Sequence, residues 1–524
     1  PMNRFLALHG AAANAIKLSP GWRAERVTPP SALFGANGMQ FGPDGRLYVA
    51  QAMGSQVTAI DTATAALDHI APNGLAITGP DDVAFDADGN LYATEVMSAR
   101  VSRRRPDGRI DIVAGDLPSA NGITVFRNRL FIDEHRPGGR LFELYPDGSR
   151  PPRLIADDLD GPNALASGPD GKLYFPLVPR GEIWRADPET GALEKVTEGL
   201  SFPTACKFTP AGELLSPQAG NGEVAKIDIA TGRWQVIARV RPGIDNLAID
   251  TAGKLFLSHY VDGGVAEVAT DGSNRERVLV EPGWVGPWGI ACDPSGVSLV
   301  VDGLSLAALS ATGQVRHIGS PLDKSAPRFV RAVAAGNPGE ILMTTARGDV
   351  LRYDIGSGKA RAQAEKLGEL KGVCAGADGV IYAVRAGDGA VLHIAADGAV
   401  TPLLSGLNRP TDVLCANGEL HVAENGAGRV IRIRDGAATT LIGGLRDPRG
   451  LACLDGWLHV LDRGQRALHK VSLGDPGATS VVAENLPVGA TCPLDFAGGL
   501  CVDQRRGLLI AADGEGSILR LTPN

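Results

Sequence analysis

An all-β fold of twelve four-stranded repeats is predicted by three observations. The chain repeats itself about every 42 residues. Each period holds short hydrophobic runs separated by turn residues, enough for four strands. No stretch shows the sustained periodicity of an amphipathic helix. Copies anchored on a short hydrophobic strand begin at Asn37, Asp81, Asn121, Asn163, Thr204, Asp245, Trp288, Arg331, Lys371, Thr411, Arg449 and Gly498. The gaps between them run from 38 to 49 residues, with a mean of about 41.9. Four strands in such a period are the mark of a β-propeller blade; a leucine-rich or helical solenoid would need the helical periodicity that is missing.

The second repeat shows the grammar. Residues 81–86 form a short apolar strand, and Asp88-Gly89 supplies the tight-turn signal that follows it. Residues 91–95 read as the second strand, the alternating stretch 99–104 as the third, and 109–113, after the turn at 106–108, as the fourth. Asp-Gly turns return at 170–171, 271–272, 378–379 and 397–398. Twelve blades divide most simply into two six-bladed propellers, at 36–285 and 286–524; a single ring of twelve would leave a wide channel and a poor core. The last repeat supplies strands at 499–503, 507–511 and 517–521 and then stops, whereas segment 22–27 reads as a fourth strand with no blade of its own. An N-terminal arm, residues 1–35, is therefore expected to close the C-terminal blade and hide its edge. That arrangement requires either that the arm cross between the propellers or that one propeller be inserted within the other, and the sequence leaves both open.

Composition bounds the function. The 524 residues exceed the usual size of one domain. With 44% hydrophobic and 21% charged residues the chain reads as soluble and globular, and its 68 glycines and 35 prolines suit a chain full of tight turns. A net charge of −8 argues against bulk attraction to nucleic acid. No run of 18 apolar residues is present to span a membrane. The seven cysteines are scattered through apolar stretches without a C-x-x-C pair, so a reducing, cytoplasmic setting is expected. Residues 2–15 have a faint leader-like look, broken by His9 and Gly10, which keeps secretion or a periplasmic location as the alternative.

The anchors change character halfway along. The first six are Asn37, Asp81, Asn121, Asn163, Thr204 and Asp245. In a propeller the first strand of each blade lines the central channel, so these side chains could converge on one axis. Amide oxygens with one or two carboxylates suit a hard divalent cation, Ca²⁺ above all. The expected metal ligands are Asn37, Asp81, Asn121, Asn163, Asp245 and the adjacent Asn246, with Asp82 in reserve; the competing reading is that each merely caps a turn. Glu95 and Glu134, at second-strand ends, and Thr204 are expected to contact substrate. In the second half Arg331, Lys371 and Arg449, with Arg385, Arg409 and Arg446 in similar loops, could form a basic channel for an anionic group, or be solvated loop charges. That half could also serve as a scaffold or a homodimer surface.

Asn121 in Ala-Asn-Gly-Ile-Thr-Val and Asp245 in Ile-Asp-Asn-Leu-Ala-Ile-Asp, with His259 in Leu-Ser-His-Tyr and Gly161-Pro-Asn-Ala-Leu165, resemble the motifs of the gluconolactonase (regucalcin) family and of its relatives, the paraoxonases and diisopropylfluorophosphatase. The resemblance covers about half the chain. It implies a six-bladed propeller with a central Ca²⁺ or other divalent ion held by Glu, Asn, Asn and Asp, which polarises a lactone or phosphoester while the Asp or a nearby His assists hydrolysis. Two features depart from that pattern: the first-blade glutamate is absent, leaving Asn37, and a full blade carrying Thr204 separates Asn163 from Asp245. Many blades also resemble the NHL-type repeat of proteins that only bind.

The expected function is a metal-dependent hydrolase of a lactone or related ester, a small-molecule substrate, acting in the N-terminal propeller. Asp245 would be ligand, base or nucleophile, with His259 or His135 as proton shuttle. The alternatives are a lyase or isomerase on the same scaffold and a non-enzymatic binding or scaffold propeller. No nucleophile elbow, H-E-x-x-H or P-loop offers another chemistry.

Overall fold

The computed structural model of the chain describes residues 15–71, 77–319, 327–489, 496 and 498–524; the leader-like start and Cys492 lie outside them. The structure is all-β. Twelve antiparallel sheets follow one another along the chain, eleven of four strands and one of five. Sheet one contains Met39–Phe41, Leu47–Gln51, Gln56–Ile60 and Leu67–Ala71, in that order from one edge to the other. Sheets two to six repeat the same meander over 80–114, 120–160, 166–197, 207–239 and 244–280. Sheets seven to eleven occupy 287–319, 330–364, 370–404, 410–442 and 448–484.

Sheet twelve is assembled from both ends of the chain. Leu500–Val502, Leu508–Ala512 and Ser517–Pro523 are its first three strands, and Trp22–Arg26 is the fourth, running antiparallel with Trp22 opposite Pro523 and Arg26 opposite Leu519. Arg26 grips the fully buried Glu515 through two hydrogen bonds of 2.8 and 3.0 Å. Two further residues, Lys17–Leu18, add the fifth strand of sheet eleven by pairing with Thr479–Glu484.

The described residues divide into two compact units, Ser31–Val285 and residues 15–30 with 286–524. The arm thus ends at residue 30 and not at 35, because Leu33 is buried in the core beside sheet one and the Phe34 amide donates to Gln51 Oε1 at 2.9 Å. In the first unit the innermost strands neighbour one another in chain order, and Ile244–Ile249 of sheet six packs against Met39–Phe41 of sheet one. In the second unit the order closes the same way, with Leu500–Val502 against Pro287–Cys292.

The core lies between neighbouring sheets, since each strand turns alternate side chains to the sheet before it and the sheet after it. Val83 joins Tyr48 and Ala50 of sheet one, whereas Ala84 joins Ile123 of sheet three. Edge-to-face rings mark several seams, among them Phe41 on Phe256 at 5.3 Å and Tyr48 on Phe85 at 4.8 Å.

Candidate functional site

The six polar anchors of the first unit sit at or just before its innermost strands. Three of them lie in β-bulges. The pairing of the first and second strands breaks register between Pro80 and Val83, between Ala120 and Ile123, and between Ile244 and Leu247. Asp81, Asn121 and Asp245 occupy those breaks. A bulge re-aims the side chain it carries away from the regular alternation.

The structure brings two pairs together. Asn37 Nδ2 donates to Asp245 Oδ2 at 2.9 Å, joining the first and last sheets of the unit. The Asn121 side chain lies beside the Asp81 carboxylate and favours its charged form, and Asp81 in turn feels the charges of Asp245, Asp82 and Asp133. Burial pushes the Asp81 carboxyl well above the usual range, with the Asp245 and Asp82 charges adding to it. Burial likewise pushes Asp245 up to about 7, partly offset by the Asn37 hydrogen bond. Asn121 is 4% exposed, and its Oδ1 has no protein partner. A buried amide oxygen without a donor, next to carboxylates raised by burial and by one another, is what a hard cation would satisfy. The donor set fits such an ion. Among the described residues no three His, Cys, Asp or Glu side chains gather to hold a metal by themselves; a cation here would rest on two carboxylates and amide oxygens.

The other expected ligands are differently engaged. Asn163 Oδ1 accepts from the Ala164 amide at 2.8 Å, and Asn246 Oδ1 from the Leu247 amide, also at 2.8 Å. Asn246 is 2% exposed. The Thr204 hydroxyl points to the Ile244 carbonyl at 3.5 Å, a tie between sheets.

Glu95 and Glu134 are fully buried and occupied within their own sheets. Glu95 accepts from the Thr78 amide at 2.9 Å, from Arg100 Nε at 2.8 Å and from the Ser102 hydroxyl. Glu134 is held by Arg136 and Arg140. The same device recurs at second-strand ends: Gln218 accepts from the Ser201 amide, Asp302 from Gly286, Glu424 from Asn408 and Asp462 from Arg446. Glu95, Gln218, Asp302, Glu424 and Asp462 thus each pin the loop that leads into their own sheet.

The histidines are engaged with backbone carbonyls, although His259 lies opposite Ile244, the neighbour of Asp245. His259 is fully buried; its Nε2 meets the Arg241 carbonyl at 3.3 Å and its Nδ1 has no protein partner. Burial, with the Arg241 charge, pushes it down to about 4, so the ring is neutral near pH 7. His135 places Nδ1 on the Pro162 carbonyl at 3.0 Å, and burial lowers it too.

One carboxylate of this region carries no signal that composition or spacing could single out. Asp133 is fully buried; its Oδ1 accepts from the Gly122 amide at 2.9 Å and its Oδ2 has no protein partner. Burial pushes it to about 7, and Asp82 adds to the shift. Asp82 is 1% exposed and bridges sheets two and three, accepting from Val83 at 2.9 Å and from Ile123 at 3.4 Å. Gly38 makes room for it: a Cβ there would lie 2.1 Å from Asp82 Oδ1.

The matching ring of the second unit is aromatic and basic. Trp288 stacks on Phe496 with centroids 4.8 Å apart, and the Arg331 guanidinium lies 5.4 Å from the Phe496 ring. Lys371 pairs with Glu369 at 3.0 Å, and Arg449 donates to the Phe496 carbonyl at 2.9 Å. Arg385 pairs with Asp388, and the Arg446 amide with Asp462. Elsewhere, a surface groove of about 760 Å³ beside sheets two and three is lined by Tyr92, Arg103, Arg129, Glu143 and Tyr145. Its arginines are paired with Asp111, Glu143 and Glu189, away from the inner ring.

No protein-family model and no curated protein matches this sequence. Solved structures do match it in fold. A xyloglucanase from Xanthomonas campestris aligns over 96% of this chain and 100% of its own, at 14% identity and a TM-score of 0.51. A streptogramin B lyase aligns over 56% of this chain and 98% of its own, at 15% identity and a TM-score of 0.40. A protein thought to be a gluconolactonase aligns over 57% and 95%, at 19% identity and a TM-score of 0.34. At such identities the likeness is one of fold alone. Among the described residues no helix is long and apolar enough to cross a membrane.

Proposed function

We propose that each compact unit is a six-bladed propeller and that the first holds one divalent cation of the Ca²⁺ type, where it hydrolyses a lactone or related ester. The observation that carries this reading is the convergence of Asn37 on Asp245 and of Asn121 on Asp81, with the Asn121 Oδ1 buried and unpartnered. Asp81, Asp245 and Asn121 would hold the ion, with Asn37, whose Oδ1 accepts from the Ala52 amide at 3.1 Å, orienting Asp245. A bound Ca²⁺ would supply positive charge to polarise a substrate carbonyl and stabilise the oxyanion that develops. Asn37 fixes Asp245 Oδ2, which leaves Oδ1 to take a proton from an attacking water. Burial, with the Asp82 charge adding to it, raises that carboxyl to about 7.

His259, held near 4 and buried beside Arg241, is a poor base, which leaves Asp245 as the group that moves the proton. Elemental analysis before and after chelation, with thermal melting in parallel, tests the site. About one Ca²⁺ per chain and a lower Tm in chelator support it; no bound ion and an unchanged Tm reduce the anchors to turn caps. Asp245→Ala should then lose both the ion and lactone ring opening, and full retention of either overturns the assignment.

A further inference from the structure

Five of the seven cysteines lie on innermost strands of the second unit, and four of them face each other in two pairs. Cys374 is on Leu370–Ala375 of sheet nine and Cys415 on Pro410–Ala416 of sheet ten. Strand alternation directs them to one seam. Val373 packs back on Leu342 of sheet eight, so its neighbour Cys374 turns forward to sheet ten. Leu414 packs forward on Leu451 of sheet eleven, so Cys415 turns back to sheet nine. Cys374 and Cys415 accordingly share one cluster with Val413 and Val422, and the Cys374 thiol lies against the Cys415 backbone amide.

The second pair repeats this geometry where the ring closes. Cys501 holds the fourth inner position of sheet twelve, as Cys374 does in sheet nine, and Cys292 the fifth of sheet seven, as Cys415 does in sheet ten. The Cys501 thiol lies against the Cys292 backbone amide. Nearby, Gln504 of sheet twelve donates to the Pro294 carbonyl that follows sheet seven, holding the seam together. The two pairs are three sheets apart in a closed order of six. Cys453, at the fifth position of sheet eleven, lies between Ala452 and Leu454, which pack forward on sheet twelve, so it turns back to sheet ten, where the fourth position is Leu414 and not a cysteine.

We propose that Cys374 with Cys415, and Cys292 with Cys501, are two thiol pairs that close into inter-blade disulfides when the protein meets a small-molecule disulfide such as oxidised glutathione. In each pair one thiolate attacks the glutathione disulfide, forming a mixed disulfide and releasing one glutathione thiolate. The partner thiolate then attacks the protein sulfur of that mixed disulfide, forming the bridge and releasing the second glutathione. Two protein thiols are oxidised, one glutathione disulfide is reduced, and the two thiol protons end on the two glutathione thiolates released. Burial pushes the Cys374 and Cys501 thiols above the ordinary range, so closure is slow at neutral pH and quickens as pH rises. The Cys374 bridge encloses one repeat; the Cys292 bridge locks the last sheet to the first, the greater constraint on the unfolded chain.

The test equilibrates the full chain with oxidised glutathione, quenches it in acid, and counts alkylated cysteines after denaturation, with peptide mapping. Seven labels fall to three, and linked peptides join 374 to 415 and 292 to 501. The Tm rises by roughly 5–10 °C and returns on reduction. Cys415→Ala and Cys292→Ala each keep the other bridge, and the double variant shows no rise. Seven labels after oxidation, stable glutathione adducts without internal links, links to other cysteines, or cross-linked dimers would each overturn the proposal; labelling of the unmutated chain decides it even if a variant fails to fold.

Discussion

Asp245 stands in a bulge, bonded to Asn37 and facing the charge of Asp81. Its carboxyl, raised to about 7 from an ordinary 3.8, holds a proton in the folded protein at a pH where the unfolded chain has lost it. Its contribution to stability is therefore full below pH ~4 and is lost as pH rises through about 7. In chelator, Asp245→Asn should match the wild type near pH 4 and become the more stable of the two toward pH 8, by roughly 4 kcal/mol. The same variant should abolish the Tm rise that Ca²⁺ gives. A wild type that stays ahead at pH 8 would contradict the burial argument. Ca²⁺ added at pH 6 should also release protons from the wild type, as an indicator dye in weak buffer would read; no release would mean that these carboxylates do not meet the ion. At this scale the sequence shows that Asn37, Asp81, Asn121 and Asp245 recur in phase, because phase is a matter of counting. It does not show Asp133, whose importance comes from the depth at which Gly122 and Asp82 enclose it.

The end of the second strand is a structural position in half of the twelve sheets. Gln51, Glu95, Gln218, Asp302, Glu424 and Asp462 each accept a backbone amide from the loop that leads into their own sheet. Glu95 also pairs with Arg100, so Glu95→Ala would remove that ion pair and strand a buried hydroxyl and an amide. That change should cost about 3 kcal/mol of stability by chemical denaturation, whereas Glu95→Gln, the amide found at Gln51 and Gln218, should cost about 1 kcal/mol. Neither should alter the Ca²⁺-induced Tm shift beyond that loss; a selective loss of substrate affinity in Glu95→Gln would restore a ligand-binding role. Oxygen-bearing residues at strand ends look alike in sequence whether they meet a ligand or a backbone amide. Only the approach of the preceding loop separates the two.

Acid sensitivity belongs to the whole molecule, because the groups that cause it are spread across both units. His259 and His459 are pushed down to about 4 by burial, and burial lowers His421 as well. The unfolded chain takes up protons at these rings near pH 6.5 while the folded one does not, so stability falls as pH drops from about 6.5 to about 4. His459, whose ring nitrogens have no protein partner, packs edge-to-face on Trp22 at 5.8 Å. His459→Phe should flatten part of the fall in Tm between pH 6.5 and 4.5; an unchanged slope would show that this ring is protonated in the folded protein. The sequence by itself determined the all-β class, the twelve repeats and the two loose ends, a blade lacking a strand and a strand lacking a blade, since alternation and turn chemistry act between residues close in the chain. Only the tertiary structure decided which polar anchors pair across sheets, which carboxylates are occupied by backbone, and which cysteines share a seam. Those outcomes depend on bulges that re-aim side chains and on the closed order of sheets, which sets residues from distant repeats side by side.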